Sequence, residues 1–300
     1  GNFSKELWQK YEYRFLLQKD GIKKYNLPKP EWQEEDINGK KLYVHYEQGF
    51  GDTIMFGRYL KILASMGAEV FFRPQDGLIS VLKNSDLDVN IIDTPIDNPG
   101  IEYDYYVSLM SLPFRLNITI NNPPLSSERY ICSDIEKVEK YKKEYFSNNK
   151  FKVGIFWQGN PKGFKNRALP LECCREIFNI SDIQFYSFQK GYGIEQLQDI
   201  QNDYNIVDLG STFNDFSDTV AALENLDLLI TIDSSVAHIA GAMKKKTWVL
   251  LPFVPEWRWG LDGNTTPWYE SLKLYRQKTL NDWHGVVQDV VKDLKFMLNQ

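Results

Sequence analysis

Three short segments of the sequence combine glycine or other small residues with side chains able to do chemistry. The first reads EQGFGDT and covers residues 47–53. Its glycines allow the backbone to come close to a ligand, and Asp52, at the start of a helix, could serve as the general base that removes a proton from a hydroxyl. A tight turn with an aspartate helix cap explains the same pattern without any function. The spacing is not GxGxxG, so the segment does not indicate a nicotinamide cofactor.

The second segment reads QGNPKGFKNR and covers residues 158–167. Glycine, asparagine and proline predict a long turn. Lys162, Lys165 and Arg167 lie in this turn, and three cations together favour an anionic ligand such as a diphosphate. The alternative is a basic loop that is simply solvated.

The third segment reads DSSVAHIAGA and covers residues 233–242. Ser234 or Ser235 can cap a helix here, and the free N–H groups at that helix end offer a site for an anion. His238 comes one turn later, on the side that faces this end, although a histidine at such a place is often structural. The small residues Ala237, Ala240 and Gly241 allow the helix to pack closely on a sheet.

Each of these segments follows a short apolar run that predicts a strand. A first helix, with an apolar stripe from Phe3 to Phe15 after a cap at Asn2 or Ser4, precedes two strand-helix series. The first series has predicted strands at 41–46, 70–73, 89–92 and 105–109, helices at 53–66, 76–82 and 133–146, and a loop at 117–127. The second has predicted strands at 152–157, 183–188, 206–209, 228–232 and 247–251, and helices near 170–179, 193–201, 215–225 and 235–243.

Apolar strands that alternate with helices predict parallel sheets covered on both faces, which is an α/β fold. Two such series predict two doubly wound, Rossmann-like domains that face each other across a cleft, with ligands beyond the carboxyl ends of the strands. The expected divisions are an N-terminal helix and connector at 1–37, a first domain at 38–149 and a second domain at 150–300, with the boundary at the SNNK segment.

Composition argues against several classes of protein. A net charge of −5 over 300 residues argues against a nucleic-acid partner, which needs a basic face. The three cysteines and three histidines have no metal-ligand spacing, so no metal site is expected; they are Cys132, Cys173, Cys174, His45, His238 and His284. No signal peptide or membrane-spanning run is present, which favours a cytoplasmic protein and leaves peripheral membrane contact open.

The three segments also belong to a longer ordered set of motifs. EQGFGDTIMFGRYL, VGIFWQGNPKGFKNRALPL, FYSFQKG, DLLITIDSSVAHIAGAMKKKTWVLLPF and PEWRWG together resemble the heptosyltransferase-like glycosyltransferases of glycosyltransferase family 9. The likeness runs from about Lys41 to the C-terminus and is greater to the branch in which this unit follows tetratricopeptide repeats. The initial FSKELWQKYEYRF is similar to the helix that ends the repeat array in that branch.

This resemblance implies a GT-B fold and metal-independent, inverting transfer of a hexosyl or heptosyl group from a nucleotide-diphosphate sugar, with no other cofactor. Asp52 matches the family's acid after glycine and would be the general base. The expected donor-binding residues are Gly49, Gly51, Asn160, Lys165, Arg167, Gln189, Lys190, Asp233, Ser234, Ser235 and His238. The acceptor would be a glycan, a lipid-linked sugar or a protein.

The sequence departs from the lipopolysaccharide heptosyltransferases in TIMFGRYL, which lacks a proline often found there, so neither heptose nor lipopolysaccharide follows. A protein glycosyltransferase is one alternative. A non-catalytic nucleotide- or glycan-binding module is another, although such a module has no need of a base. A nucleotide-sugar epimerase would need acid and base groups on both sides of the sugar, and the sequence offers no clear second one.

Overall fold

The computed structural model describes residues 3–17, 22–119, 125–161, 166–201 and 203–299. The chain forms two compact units, Gly1–Cys132 and Ser133–Gln300. Within the described ranges, no helix has both the length and the apolar composition to cross a bilayer.

The first unit is a four-stranded parallel sheet with short helices. Its strands are β1 (Lys41–His45), β2 (Glu69–Arg73), β3 (Asn90–Ile91) and β4 (Tyr105–Ser108), in the order β3-β2-β1-β4. Its α-helices are α1 (Lys5–Tyr11), α2 (Phe50–Gly57), α3 (Leu60–Ser65), α4 (Ile79–Lys83) and α5 (Leu112–Arg115). Turns of 3-10 helix cover Glu12–Leu16, Asp76–Leu78 and Leu109–Ser111.

The second unit is a six-stranded parallel sheet. Its strands are β5 (Phe151–Phe156), β6 (Ile183–Ser187), β7 (Ile206–Asp208), β8 (Leu228–Ile232), β9 (Thr247–Leu251) and β10 (Leu272–Arg276). Its α-helices are α6 (Ile135–Tyr145), α7 (Arg175–Phe178), α8 (Glu195–Ile200), α9 (Phe216–Glu224), α10 (Ser235–Ala242) and α11 (Trp283–Leu298). Turns of 3-10 helix cover Leu171–Cys174, Gly210–Thr212 and Trp257–Trp259.

Strand order in both sheets determines where a ligand would bind. The second sheet runs β10-β9-β8-β5-β6-β7, which is the order of the dinucleotide-binding Rossmann fold, and the first sheet has the first four strands of that order. The order reverses at β1, which pairs with β2 and β4, and at β5, which pairs with β6 and β8. In such sheets the loops beyond the carboxyl ends of the strands at this reversal form the binding crevice.

Burial explains why the apolar runs form central strands. Every residue of β8 and β9 is buried, as expected for strands covered by helices on both faces. A large apolar core beneath the second sheet includes Val153, Ile230 and Leu250, and residues of α11 such as Val287 pack into it. The expected α/β class with two Rossmann-like sheets is therefore confirmed.

Several local predictions were wrong. The helix expected at 53–66 begins three residues earlier, at Phe50, and divides into α2 and α3. The buried Arg58 causes this division in part, because its Nε donates to the carbonyl of Met55 at 2.8 Å and so ends α2. Strand β10 and helix α11 were not predicted, because the aromatic residues before β10 indicated core packing rather than a strand.

The division between the units also falls at a different place from the expected boundary at 149/150. Helix α6, expected in the first domain, packs against α9 of the second unit. Lys137 Nζ lies 2.8 Å from Asp218 Oδ1, and Ser133 Oγ donates to Glu224 Oε1 at 2.9 Å. These contacts attach the segment to the second unit.

Candidate functional site

The turn after β1 contains the predicted general base. Gln48 has a left-handed backbone (φ 64°), and Gly49 then serves as the N-cap of α2. Asp52 is the third residue of the helix, and its Oδ2 accepts a hydrogen bond from the N–H of Gly49 at 2.9 Å. The carboxylate is half-buried. Asp52 therefore closes the first turn of the helix from the third helical position, as the acidic residue of a capping box does, rather than as the N-cap expected from the sequence. Gly49 has no side chain for the reciprocal bond.

Gly49 and Gly51 have different roles in this turn. Gly49 has an extended backbone, and a Cβ there would lie 3.2 Å from Asp52 Oδ2. Its lack of a side chain thus leaves room for the Asp52 carboxylate. Gly51 lies inside the first turn of α2. The prediction that both glycines contact a donor stays a prediction.

A buried ion pair lies directly before this turn. Arg14 donates from Nε to Glu47 Oε1 at 2.8 Å and from Nη2 to Glu47 Oε2 at 2.9 Å. Ser108, at the end of β4, donates to Glu47 Oε2 at 2.5 Å. Gln48 Nε2 donates to Glu47 Oε1 and to the hydroxyl of Tyr11, both at 3.1 Å. The loops beyond β1 and β4 are thereby joined to each other and to the N-terminal helical segment.

Burial and charge act in opposite directions on Glu47. Burial by itself favours the neutral acid, but the hydrogen bonds and positive charge of Arg14 outweigh it and hold the pKa of Glu47 below its ordinary value. Burial likewise works against the Arg14 cation, whose pKa is nonetheless raised by Glu47. The turn therefore carries a fixed charge pair at neutral pH.

In the second unit, Gln189 orders the loop after β5. Its Oε1 accepts from the N–H groups of Trp157 (3.1 Å) and Gln158 (3.0 Å), and its Nε2 donates to the carbonyls of Gln158 and Tyr192. The side chain is fully buried. Gln189 is thus bonded to backbone in two loops, and its contact with a nucleotide stays a prediction.

Arg167 lies at the reversal of strand order in the second sheet. Its guanidinium covers Gly159, where a Cβ would come within 3.0 Å of Nη2. Nη1 lies 3.9 Å from Asp233 Oδ2, which is the outer limit of an ion pair. The buried Nε has no hydrogen-bond partner in the described part of the chain. A guanidinium that is 22% exposed and whose ion pair is this long is suited to bind an anion through its Nη groups.

The loop after β8 leads into α10 beside Arg167. Ser234 is the N-cap of this helix, and its Oγ accepts from the N–H of Ala237 at 3.3 Å. Ser235 is half-buried at the first helical position, and Asp233 is buried just before the cap. The helix end presents backbone N–H groups to an anion, whereas the carboxylate of Asp233 can only accept hydrogen bonds and is suited to sugar hydroxyls.

His238 is held on two sides. Its Nδ1 lies 3.0 Å from the hydroxyl of Tyr269, and its ring stacks on Trp259 with a centroid distance of 5.2 Å and an interplanar angle of 26°. His238, Tyr269 and Trp259 are all buried. The indole N–H of Trp259 has no hydrogen-bond partner among the described residues.

Three other residues were predicted to bind the donor: Lys165, Asn160 and Lys190. Lys165 lies outside the described residues. Asn160 is exposed, and Lys190 is exposed and donates its Nζ to the carbonyl of Phe213. The structure therefore brings Arg167 and Asp233 together at the reversal of strand order, with Ser234, Ser235 and His238 following in the same loop and helix.

Four residues of these sites were not predicted from the sequence: Arg14, Glu47, Tyr269 and Trp259. A glutamate at the end of an apolar strand was a usable signal for Glu47, because such a residue is buried at a strand end and needs a partner. No local pattern indicated Tyr269, which is 31 residues from His238.

Metal ligands are not clustered in the described ranges. Among the residues that the structure describes, no group of three or more histidine, cysteine, aspartate or glutamate side chains could hold a metal ion. Metal independence stays a prediction.

No protein-family model matches this chain. Among curated proteins, Protein FlbA of Caulobacter vibrioides is 20% identical in an alignment that covers 97% of this chain and 52% of FlbA. The chain therefore spans about half the length of the curated relative that it matches.

Solved structures of two glycosyltransferases are similar to this chain over most of its length. The glycosyltransferase of family 9 from Veillonella parvula has a TM-score of 0.66 at 12% identity, over 88% of this chain and 98% of its own. The ADP-heptose lipopolysaccharide heptosyltransferase II of Escherichia coli has a TM-score of 0.62 at 15% identity, over 87% of this chain and 99% of its own. The chain therefore has the GT-B fold of the family 9 glycosyltransferases, as its motifs predicted.

Proposed function

We propose that this protein is a glycosyltransferase that transfers a sugar from a nucleoside diphosphate to an acceptor hydroxyl. The observation that carries the proposal is Arg167, whose guanidinium lies 3.9 Å from Asp233, just before the capped start of α10, and whose side chain remains 22% exposed. This cation and helix end coincide with the reversal of strand order in a Rossmann-type sheet. The fold of the family 9 enzymes supports the same conclusion.

The chemistry of the leaving group fits this set of residues. Negative charge grows on the nucleoside diphosphate as its bond to the sugar breaks, and that charge must be stabilised. The guanidinium of Arg167 and the N–H groups at the start of α10 supply positive charge and donors without a metal. Asp233 would accept hydrogen bonds from hydroxyl groups of the donor.

Asp52 would remove the proton from the acceptor hydroxyl. The acceptor oxygen then forms a bond to the anomeric carbon, the bond to the diphosphate breaks, and the configuration at that carbon inverts. Asp52 is held in a defined position by Gly49, and the turn before it is supported by the Arg14–Glu47 pair. A fixed carboxylate is what a general base requires, since it must be within reach of one particular proton.

Binding of nucleoside diphosphates tests the donor site. We expect ADP, or another nucleoside diphosphate in a panel, to raise the melting temperature in the presence of EDTA. Arg167→Ala should weaken this binding by about 10- to 100-fold, the cost of losing a charged hydrogen bond. Arg175→Ala is the control, because Arg175 is paired with Glu172 and Asp203 at an exposed place in the same unit. A panel without any shift would contradict the donor site.

The Asp52→Asn variant tests the base. An amide oxygen can still accept from the N–H of Gly49, so the helix cap and nucleoside diphosphate binding should persist while transfer is lost. The observation that Asp52 already has a capping role favours one other function, a non-catalytic nucleotide- or glycan-binding module. Normal transfer by Asp52→Asn would exclude this residue as the base. A glycan, a lipid-linked sugar and a polypeptide are the acceptors to compare by mass spectrometry, and a polypeptide product would identify a protein glycosyltransferase.

A further inference from the structure

We propose that Tyr269 is a positioning residue for the donor site, because its hydroxyl donates to Nδ1 of His238 and fixes the imidazole tautomer that carries its proton on Nε2. The role of this tautomer in donor binding rests on the proposed function. The contact between Tyr269 and His238 does not, because it is present in the structure whatever the protein binds. Neither Tyr269 nor its contact with His238 is part of the sequence motifs.

The contact is well defined by its surroundings. Tyr269 Oη and His238 Nδ1 are 3.0 Å apart, and the two side chains are almost completely buried, at 1% and 4% exposure. The stacked ring of Trp259 restricts the imidazole to one plane. Water therefore has little access to compete for Nδ1, and the tyrosine hydroxyl is its partner in the described structure.

Gly241 makes room for the tyrosine. It lies one turn after His238 in α10, and a Cβ at this position would come within 2.5 Å of the ring of Tyr269. The small residue predicted to allow close packing of helix on sheet thus accommodates the tyrosine ring against the helix. Because the ring fills the space that a side chain at position 241 would occupy, the hydroxyl is positioned against His238.

The tautomer decides what His238 can bind. A neutral imidazole has one N–H donor and one acceptor nitrogen. If Tyr269 donates to Nδ1, the proton is on Nε2, which can then donate to an oxygen of a phosphate or sugar. If Tyr269 accepted instead, Nε2 would be an acceptor, and an ionised diphosphate oxygen has no proton to donate to it. For a neutral imidazole, an anionic ligand at Nε2 is therefore compatible only with the tautomer in which the tyrosine donates.

Nitrogen NMR of histidine tests the tautomer directly. The chain has three histidines, and the spectrum of a His238→Asn variant assigns the signals of His238. We expect a proton-free Nδ1 and a protonated Nε2 in the wild type at neutral pH. In Tyr269→Phe we expect signals averaged between the two tautomers and about fivefold weaker binding of ADP, or of the nucleoside diphosphate that binds best, from the loss of one supporting hydrogen bond.

Two further variants make the test specific. Tyr275→Phe removes another buried tyrosine hydroxyl of the same unit, which donates to Asp293 Oδ2 at 2.8 Å, and should leave the His238 signals and nucleotide affinity unchanged. Gly241→Ala displaces the Tyr269 ring and should reproduce the Tyr269→Phe spectrum.

A wild-type Nδ1 that carries the proton would overturn the proposal, as would Tyr269→Phe with unchanged signals and unchanged affinity. If no nucleotide binds the wild type, the proposed donor site fails, and the tautomer measurement still decides the role of Tyr269.

Discussion

The turns after β1 and after β8 both lie at the carboxyl edge of their own sheet, next to the point where the strand order reverses, yet their electrostatics are opposite. The first turn has two carboxylates, and the buried Glu47 is neutralised by bidentate contact with Arg14. The second has serine, histidine and the start of α10, and its cation, Arg167, reaches its carboxylate only at 3.9 Å. The first arrangement holds a negative group rigidly in place, and the second leaves positive charge available. The same topology thus holds a neutralised carboxylate in one unit and a less closely paired cation in the other, as the proposed base and the proposed anion site would require.

The largest expected effect comes from breaking the first ion pair. Glu47→Ala leaves the Arg14 cation buried without its main partner, and such a loss costs about 3–5 kcal/mol of stability. Denaturant unfolding followed by hydrogen exchange should locate the loss in the first unit, around 41–57. Asp233→Ala is the matched change in the second unit and should cost less, because the Arg167 side chain remains 22% exposed and can be solvated. An equal loss of unfolding free energy in both variants would contradict the inference that the ion pair in the first turn is the stronger one.

Acid should weaken the same ion pair. The pKa of Glu47 in the folded protein lies below its ordinary value of 4.5, so the pair contributes fully to stability above that value. The contribution is lost as the pH falls below 4.5 and through the folded-state pKa, because the unfolded chain then binds a proton that the folded chain does not.

Unfolding free energies of the wild type and Glu47→Gln, measured from neutral pH downward, should therefore converge in acid. Asp218 and Asp293 of the second unit also have lowered pKa values; Asp218 is buried and Asp293 is half-buried, but hydrogen bonds to Lys137 and Lys273 respectively outweigh burial. Both proteins contain these two aspartates, so their contributions cancel when the unfolding free energy of Glu47→Gln is subtracted from that of the wild type. A difference that stays constant with pH would mean that the charge of Glu47 does not stabilise the turn.

The smallest expected effect concerns the caps of the two helices. Ser234→Ala removes the side-chain acceptor at the start of α10 and should cost about 1 kcal/mol. Ser234→Thr retains a hydroxyl and should recover most of this loss. The first turn offers no matching substitution, because its N-cap is Gly49 and the cap is completed from Asp52. A Ser234→Ala protein as stable as the wild type would show that the second turn does not depend on its cap.

Most strands of the second sheet could be predicted from the sequence, because the pattern that indicates them is local. Five of the six strands of the second sheet were expected within one or two residues, because continuous apolar runs between turn residues are typical of buried parallel strands. β10 was not predicted, because the aromatic residues before it indicated core packing rather than a strand. The split between α2 and α3 is due in part to Arg58, whose buried side chain donates to the carbonyl of Met55, a contact that the helical pattern does not indicate.

In the candidate site, too, local patterns could be predicted and contacts between distant residues could not. The sequence by itself determined that turns rich in glycine and small residues follow β1, β5 and β8, since backbone conformation and helix capping depend on neighbouring residues. Only the tertiary structure decided that Arg14 meets Glu47 across 33 residues and that Tyr269 meets His238 across 31. Such pairs are set by strand order and by the packing of distant segments, which no local pattern encodes. The residues able to do chemistry were visible in the sequence, and the residues that hold them in place were not.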